Sequence, residues 1–568
     1  MLQTLLLVAF TSLVTLILGL NLTLFYKKSS PVIVDGEQLV LAFFSGLTLL
    51  AIISSWISLF SPLSFWILSP AVIAALLNLL YRRKLLQWKI HFPVREYKFE
   101  FLVFLVVCIL FIQLGSLSPY MPDTRTYHLQ IVSWYQQFKT VPGIVNLFPR
   151  YGFYSNWFHL VSSFSFSPNQ SNLHYLNTAL SIWFTFFLFI RIATHRRKAD
   201  HRHHFFALLY TLALLFMFIG WNLLRGSCQS MNYDLIVISL ILYIFFTISE
   251  NRVLKTETPI DIRLLIILAA SIPFYKPTGA FSLIALFIFL VQTKQLQKQL
   301  RYIIAVFVVL GVPYLVKNYI QSGYLFFPFP IFDIFSPDWK LPEQVLARFN
   351  EFITLSNQYI YESVPDYAWQ HSSSEWLDTW FFKLATYDKI LLILAFSTSP
   401  LLLFYKTFKR NSLEQLYPYL LIFIPVSILW FIKGPDPRYL YGYIIFNTFV
   451  LLSIILLPII KRVSATSFSK LAFLCILLFS AYKITNYKGL LLKALGPETV
   501  SFTTTTIGNT SAVIPDINKK TRMLHCDKLP IPCIFQSNPY LQMRGESIES
   551  GFRMNTPVDS SFIKSFFF

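Results

Sequence analysis

Asp123, Arg125 and His128 stand close together in Pro122-Asp123-Thr124-Arg125-Thr126-Tyr127-His128-Leu129-Gln130, a polar stretch between two long apolar runs. Packing alone asks for none of the three. A carboxylate, a guanidinium and an imidazole at such a boundary fit chemistry on a polar substrate that is lipid-linked or surface-bound. Asp123 reads in two ways. Because Pro122-Asp123 precedes a helical pattern, the carboxylate can cap a helix over 124–138. It can equally serve as a general base or metal ligand aimed at a hydroxyl acceptor, since a base must come within roughly 3 Å of the proton it takes. His128 either assists that base or packs at the interface.

Two more turns carry charge. Lys276, in Lys276-Pro277-Thr278-Gly279, interrupts a pair of apolar spans. A charge at such a place is costly and marks a functional candidate, here for a phosphate, although a lysine near the surface also snorkels outward. Arg438 follows Lys433-Gly434-Pro435-Asp436-Pro437 in a rigid turn. An Arg at a helix start opposes the dipole and needs a partner. That partner is Asp436 or a phosphate, which a guanidinium fork binds bidentately. Arg150, Arg225, Asp234, Lys317 and Arg348 fall on or near the same side. Asp234 and Arg225 either form a structural ion pair or join the others in a cavity that neutralises a phosphate leaving group. One clear carboxylate does not make a metal site, so a divalent metal stays an open question and no cofactor is assigned.

The elements that must hold these residues are membrane helices. Of 568 residues 55% are hydrophobic and 13% charged, where a soluble domain carries about 25% charged; the mean hydropathy is +0.57. About fourteen apolar runs fall at 3–25, 37–58, 64–81, 98–117, 171–190, 205–221, 233–249, 262–275, 277–292, 302–319, 387–405, 416–432, 438–459 and 467–484. Runs of this length cross the hydrocarbon core, and with no water there the backbone must satisfy itself in helices. A barrel would alternate polar and apolar residues, which these runs do not. The pair flanking Lys276 is either two crossings or one broken, re-entrant element. The first run has neither a basic leader nor a small-residue cleavage site and reads as a membrane helix.

The net charge is +20. Most of it fits the positive-inside rule applied to short loops, and the rest fits attraction to anionic headgroups or polyprenyl phosphates. Nucleic acid is excluded as a partner, because the basic residues are dispersed and form no footprint. Lys27-Lys28, Arg82-Arg83-Lys84, Arg196-Arg197-Lys198, Lys294 to Arg301, Lys406 to Arg410 and Lys461-Arg462 all fall on one side when crossings alternate. That side is the cytoplasm. The loops 118–170 and 320–385, the Lys433–Arg438 turn and the C-terminal tail then lie outside, in a bacterium the periplasm.

In the first outer loop Leu129, Trp134 and Phe138 recur at helical spacing, which predicts a helix over Tyr127–Phe138 lying in the interface. The second, with Asp333, Asp338, Glu343, Glu351, Glu362, Asp366, Glu375 and Asp378, is the most acidic part of the chain and predicts short capping helices. Residues 1–486 thus form the membrane domain and 487–568 a small polar module. In that tail Thr503 to Thr506 reads as strand or linker, and Cys526 and Cys533 as a disulfide closing a Pro-rich loop. Zinc is the second reading, weakened by the lack of a second cysteine pair. No Gly-x-Gly-x-x-Gly, Walker loop, His-Glu-x-x-His or Gly-x-Ser-x-Gly occurs, which argues against nucleotide-fuelled transport or a cytoplasmic nucleotide-sugar enzyme.

This plan resembles the GT-C superfamily of membrane glycosyltransferases: many helices, an acidic residue in an early external loop, and an interfacial helix. The resemblance implies an all-α polytopic GT-C-like bundle of an inverting transferase. It would use a polyprenyl-phosphate-linked sugar donor, a protein or glycan acceptor, a basic residue on the lipid phosphate, and an active site facing the periplasm from the bacterial inner membrane. Asp123 takes the acidic position, with Arg438, Lys276 and Arg150 as the cations. The chain departs from that plan in placing the loop after the fourth run and in following Asp123 with Thr124 and Arg125. At finer grain it is similar to an uncharacterised family of bacterial multi-pass membrane proteins typical of Bacteroidota and spirochaetes. The residues behind this likeness are Asp123 with Tyr127-His128-Leu129-Gln130, Asn146, Arg150 to Gly152, Asn156-Trp157, Lys276 to Gly279, Lys317-Asn318-Tyr319, Ser322-Gly323-Tyr324, and Gly434 to Tyr439. In the tail they are Cys526-Asp527, Leu529-Pro530, Pro532-Cys533, Arg544-Gly545 and Gly551-Phe552. Three other functions stay open: a surface-polysaccharide polymerase or ligase, a transporter or flippase, which calls for internal repeats and midplane charges, and a structural assembly component.

Overall fold

The computed structural model describes residues 1–27, 31–89, 97–166, 175–198, 200–255, 261–359, 375–404, 413–493, 501–517, 524–526 and 529–565. It is an all-α polytopic membrane fold. Among the described residues ten helices are long and apolar enough to cross a bilayer. The other four apolar runs fall on Phe65–Tyr81, Ile262–Tyr275, the 277–292 segment and Thr386–Phe404. Residues 171–174 and 405 of the expected spans, Lys28 and Lys406 to Arg410 of the basic loops, and Glu362, Asp366 and Asp527 lie outside the described residues.

Asp234–Leu254 is the central pillar, with 94% of its apolar window buried inside the protein. It packs against Tyr175–His195, Ile262–Tyr275 and Tyr441–Val463. A helix enclosed by other helices can be apolar all round, and this one carries its charged residues, Asp234, Glu250 and Arg252, towards its two ends. The Leu2–Lys27 and Gly36–Ile57 helices are in closer contact. A Cβ on Gly19 would meet the Ala42 carbonyl oxygen at 1.8 Å, and one on Gly46 the Thr15 carbonyl oxygen at 1.9 Å. Small residues at a helix crossing permit this approach, which is how helices associate where lipid supplies no hydrophobic drive.

The Lys276 region is a broken element. Ile262–Tyr275 ends on an extended Lys276, a 3-10 turn follows over Pro277–Phe281, and a short helix resumes at Ser282. Pro277 has no N–H to give and starts the new turn. Gly279 then folds back so closely on Ile272 that a Cβ would lie 2.2 Å from its Cγ2.

The 118–170 loop is folded as a π-helical turn (Thr124–His128), a helix (Leu129–Gln137), two 3-10 turns (Ile144–Asn146 and Pro149–Gly152) and a helix (Asn156–Ser163). It does not lie in an interface. Leu129, Gln130, Ile131, Val132, Trp134, Tyr135 and Gln136 are all buried by protein, and Trp134 meets Phe552 of the C-terminal segment edge-on. Helical periodicity marks the inner face but cannot tell whether lipid or protein covers the other. In the 320–385 loop the helices Glu343–Gln358 and Glu375–Lys383 form as expected.

The C-terminal segment follows the Ala465–Lys493 helix. Thr503 to Thr506 belong to a strand, Phe502–Ile507, paired with Thr510–Pro515; a second ribbon joins Leu541–Met543 to Phe552–Met554. Both long loops hold this segment. Phe552 N–H donates to Pro142 O at 3.0 Å, and Arg544 forks onto Asp338 at 2.8 and 2.9 Å.

Candidate functional site

Asp123 begins the π-helical turn. Its backbone is already helical (φ −54°, ψ −35°) and its side chain makes no capping bond, so the cap reading is set aside. A π-turn inserts one extra residue and re-aims the side chains around it, and such turns recur at functional sites. Here the carboxylate faces two cations. Arg150 Nη1 lies 3.7 Å from Oδ1 and Arg438 Nη1 3.9 Å from Oδ2.

Each arginine is set by a rigid turn. Arg150 sits in the Pro149–Gly152 turn, and its guanidinium rests near the rings of Tyr127, Phe148 and Phe352, at 5.4, 6.0 and 5.2 Å. Arg438 sits in the Pro437–Tyr439 turn, where Asp436 accepts its backbone N–H at 3.0 Å. Two indoles clamp that turn: Trp430 Nε1 donates to Asp436 O at 2.8 Å, and Trp380 Nε1 to Pro435 O at 2.9 Å. Arg438 Nε is 2.5 Å from Asp436 Oδ2. Burial opposes the Arg438 charge, but Asp436, Tyr439, Asp123 and Asp234 more than offset it and raise its pKa. The Arg438 partner is therefore Asp436, with Asp123 as a looser second.

These residues line a cavity of about 640 Å³ that also takes in Tyr120, Tyr127, Asn222, Asn357, Asp388 and Tyr441. The fold thus brings Asp123, Arg150, Arg438 and Asp436 to one place. The other sequence candidates stand apart from it. Lys276 contacts the Asp234 carboxylate and lies 3.8 Å from the centre of the Tyr439 ring. It is one layer behind the cavity wall that Tyr439 forms. Asp234 is also held by Asn232 Nδ2 at 3.0 Å. Its ion partner is Lys276 and not Arg225, which donates from Nε to Gln229 at 3.0 Å and stacks on Tyr120 at 4.1 Å. Those two contacts hold the guanidinium beside the cavity wall.

His128 is buried. Its Nδ1 is 3.3 Å from Thr124 Oγ1, and its ring packs on Tyr127, Phe158 and Tyr233. Burial outweighs the attraction of Asp123 and Asp234 and lowers its pKa to about 4, so the imidazole is neutral near pH 7. It braces the turn and does not line the cavity. Lys317 belongs to a separate buried cluster, with its ammonium on Ser58 Oγ and 2.8 Å from His159 Nε2.

Cys526 and Cys533 are bonded to each other, which leaves no thiolates for zinc. Their loop lies on the Asp123 turn. Cys526 N–H donates to Arg125 O at 3.0 Å, Gln130 Nε2 donates to Cys526 O at 2.8 Å and Leu529 O at 3.1 Å, and Tyr151 OH donates to Cys533 O at 2.6 Å. Among the described residues no cluster of three or more His, Cys, Asp or Glu could hold a metal.

Sequence reasoning passed over Asp388, Tyr441, Asn222 and Asn357. Asp388 did leave a signal, as a lone acid at the mouth of an apolar run. Residues 1–445 match a family described as a domain of unknown function, DUF8201; Asp123, Arg150, Asp388 and Arg438 fall inside the match and the disulfide loop outside it. No curated protein and no solved structure matches the chain.

Proposed function

Since the chain belongs to the DUF8201 family, whose description carries no chemistry, we propose a function from the site alone: a GT-C-type inverting glycosyltransferase. It transfers a sugar from a polyprenyl-phosphate donor to a protein or glycan acceptor. In this reading all fourteen apolar runs lie in the bacterial inner membrane, the pair at Lys276 as a broken element, and the basic loops face the cytoplasm. The cavity, both outer loops and the C-terminal module face the periplasm.

The observation that carries the reading is Asp123 placed between two guanidiniums in a half-open cavity. The acceptor hydroxyl gives its proton to Asp123 while its oxygen attacks the anomeric carbon from the face opposite the phosphate. The bond from that carbon to the phosphate oxygen breaks, and polyprenyl phosphate departs with the electron pair. Arg150 and Arg438 take up the charge on the departing phosphate. Their contacts to Asp123, at 3.7 and 3.9 Å, are long for charge-assisted hydrogen bonds and leave donor capacity for an anion. A phosphate is already a good leaving group, so no strong general acid is required. Lys276 serves from behind, neutralising Asp234 beneath Tyr439.

The test is turnover of a radiolabelled polyprenyl-phosphate hexose by protein in nanodiscs, with a native periplasmic glycan and protein extract as acceptor. Release of polyprenyl phosphate that Asp123→Asn abolishes supports the reading, and lipid binding without any release sinks it. The polymerase or ligase reading shares this site and differs only in the size of the glycan moved. A lipid-linked-substrate transporter is favoured by one observation. A second cavity of about 410 Å³ lies around Glu37, Arg191 and Glu250 at the other end of the central pillar, about 24 Å along the helix from Asp234. Movement of intact donor across vesicles, with no cleavage, would decide for transport.

A further inference from the structure

The cavity has a second pole. Asp388, near the start of Thr386–Phe404, lines the same space as Asp123, and the residue is 2% exposed. Its Oδ1 accepts the Tyr441 hydroxyl at 2.7 Å. Among the described residues no cation stands within ion-pair distance of it, unlike Asp123, which faces two. A buried carboxylate with one phenol for company is an unfinished acceptor, since each of its oxygens takes two hydrogen bonds and burial is costly without them.

Besides the charged Asp436, the cavity wall carries uncharged polar groups. Asn222, Asn357 and Tyr387 line the same cavity, as do Phe352 and Phe153. Asn357 is fixed on the wall, donating from Nδ2 to Ile353 O at 2.8 Å and accepting the Tyr439 hydroxyl at 3.2 Å. Carboxylate, amides and phenol are partners for a ring of hydroxyl groups, and the aromatic faces suit its C–H side. The Asp388 carboxylate repels an anion, which is drawn instead to Arg150 and Arg438.

We propose that the Asp388–Tyr441 pair is a hydroxyl-binding subsite that holds the sugar of a phosphate-linked glycosyl lipid while Arg150 and Arg438 hold its phosphate. This rests on the glycosyltransferase reading and adds the part of the donor that the pair selects. Asp388 accepts hydrogen bonds from two hydroxyl groups of a neutral hexose, and Tyr441 fixes the carboxylate.

The experiment measures binding to the full chain in nanodiscs by native mass spectrometry. The probes are undecaprenyl phosphate and the same lipid carrying glucose, galactose, mannose or glucosamine. In the wild type at least one neutral hexose lipid is expected to bind about tenfold more tightly than the bare phosphate, the scale of one or two hydrogen bonds to a charged group. Asp388→Asn and Tyr441→Phe should remove that tenfold difference and leave bare-phosphate affinity within twofold, which also shows that both variants are folded. Equal binding of all neutral lipids and bare phosphate in the wild type overturns the subsite and leaves the transferase reading standing. So does a tighter hold on the glucosamine lipid alone, or an equal loss for bare and hexose lipids in both variants. Binding of no polyprenyl lipid by the wild type overturns both.

Discussion

Arg438 reaches Asp123 from the far end of the chain, Nη1 to Oδ2 at 3.9 Å, and so joins a π-turn after the fourth apolar run to a Pro-bounded turn before the thirteenth. Asp436 holds Arg438 far more tightly, at 2.5 Å. The guanidinium is anchored on one carboxylate and only leans towards the other.

That asymmetry gives the first prediction. Asp123→Asn should cost little stability, because loose and partly exposed ion pairs contribute about 0–1 kcal/mol. It should cut release of polyprenyl phosphate by roughly 10²–10⁴-fold, the usual weight of a general base. Radiolabel release and a melting curve on one preparation check both halves. A large drop in melting temperature with activity kept would make Asp123 a structural residue.

Lys276 separates two roles. As the buried partner of Asp234, its loss in Lys276→Met should destabilise the protein by roughly 3–5 kcal/mol, since a carboxylate is left unpaired. Asp234→Asn in the same chain should recover most of that. A double-mutant cycle on unfolding in mild detergent reads the coupling. A folded, stable Lys276→Met that no longer binds undecaprenyl phosphate would return Lys276 to the phosphate.

His128 sets a pH dependence. Burial holds its folded pKa at about 4, below the ordinary 6.5, so the unfolded chain binds more protons between those values. The stability of the neutral imidazole is full above about pH 6.5 and is lost as pH falls towards 4, by up to roughly 3 kcal/mol. Melts from pH 7.5 to 4.5 should slope less in His128→Gln than in the wild type. Parallel slopes would mean that His128 does not titrate across folding.

The Cys526–Cys533 loop should matter more to the site than to the bundle. Cys526→Ser with Cys533→Ser should lower stability by about 2 kcal/mol, at the low end for a short loop. Turnover should fall further than that loss explains, because the bonds to Arg125 and Gln130 depend on the loop's shape. Activity relative to folded fraction, with and without reductant, is the measurement.

Much of the scaffold was legible because bilayer solvation is a coarse demand: a run of about 20 apolar residues has few alternatives to a helix. The Asp123 stretch stood out as charge amid apolar sequence. Pairing was not legible. Nothing in the sequence says that Asp234 meets Lys276 and not Arg225, since the choice is made by tertiary packing. Asp388 was missed because a lone acid at the start of a helical run looks like an ordinary dipole partner. The 129–137 helix was expected at a lipid interface because its apolar spacing is silent on what covers its outer side.

Gln130 donates a hydrogen bond to the disulfide loop, and the Arg125 carbonyl accepts one from it, across more than 390 positions of chain. Insertion into a bilayer proceeds from the first helix to the last, so every crossing is made before the segment that fastens the Asp123 turn has been synthesised. A chain ending at residue 493 would keep all ten long helices and lack those fasteners. Crossing the bilayer and fastening the site thus draw on different stretches of one polypeptide, the helices for the first and the segment after residue 500 for the second.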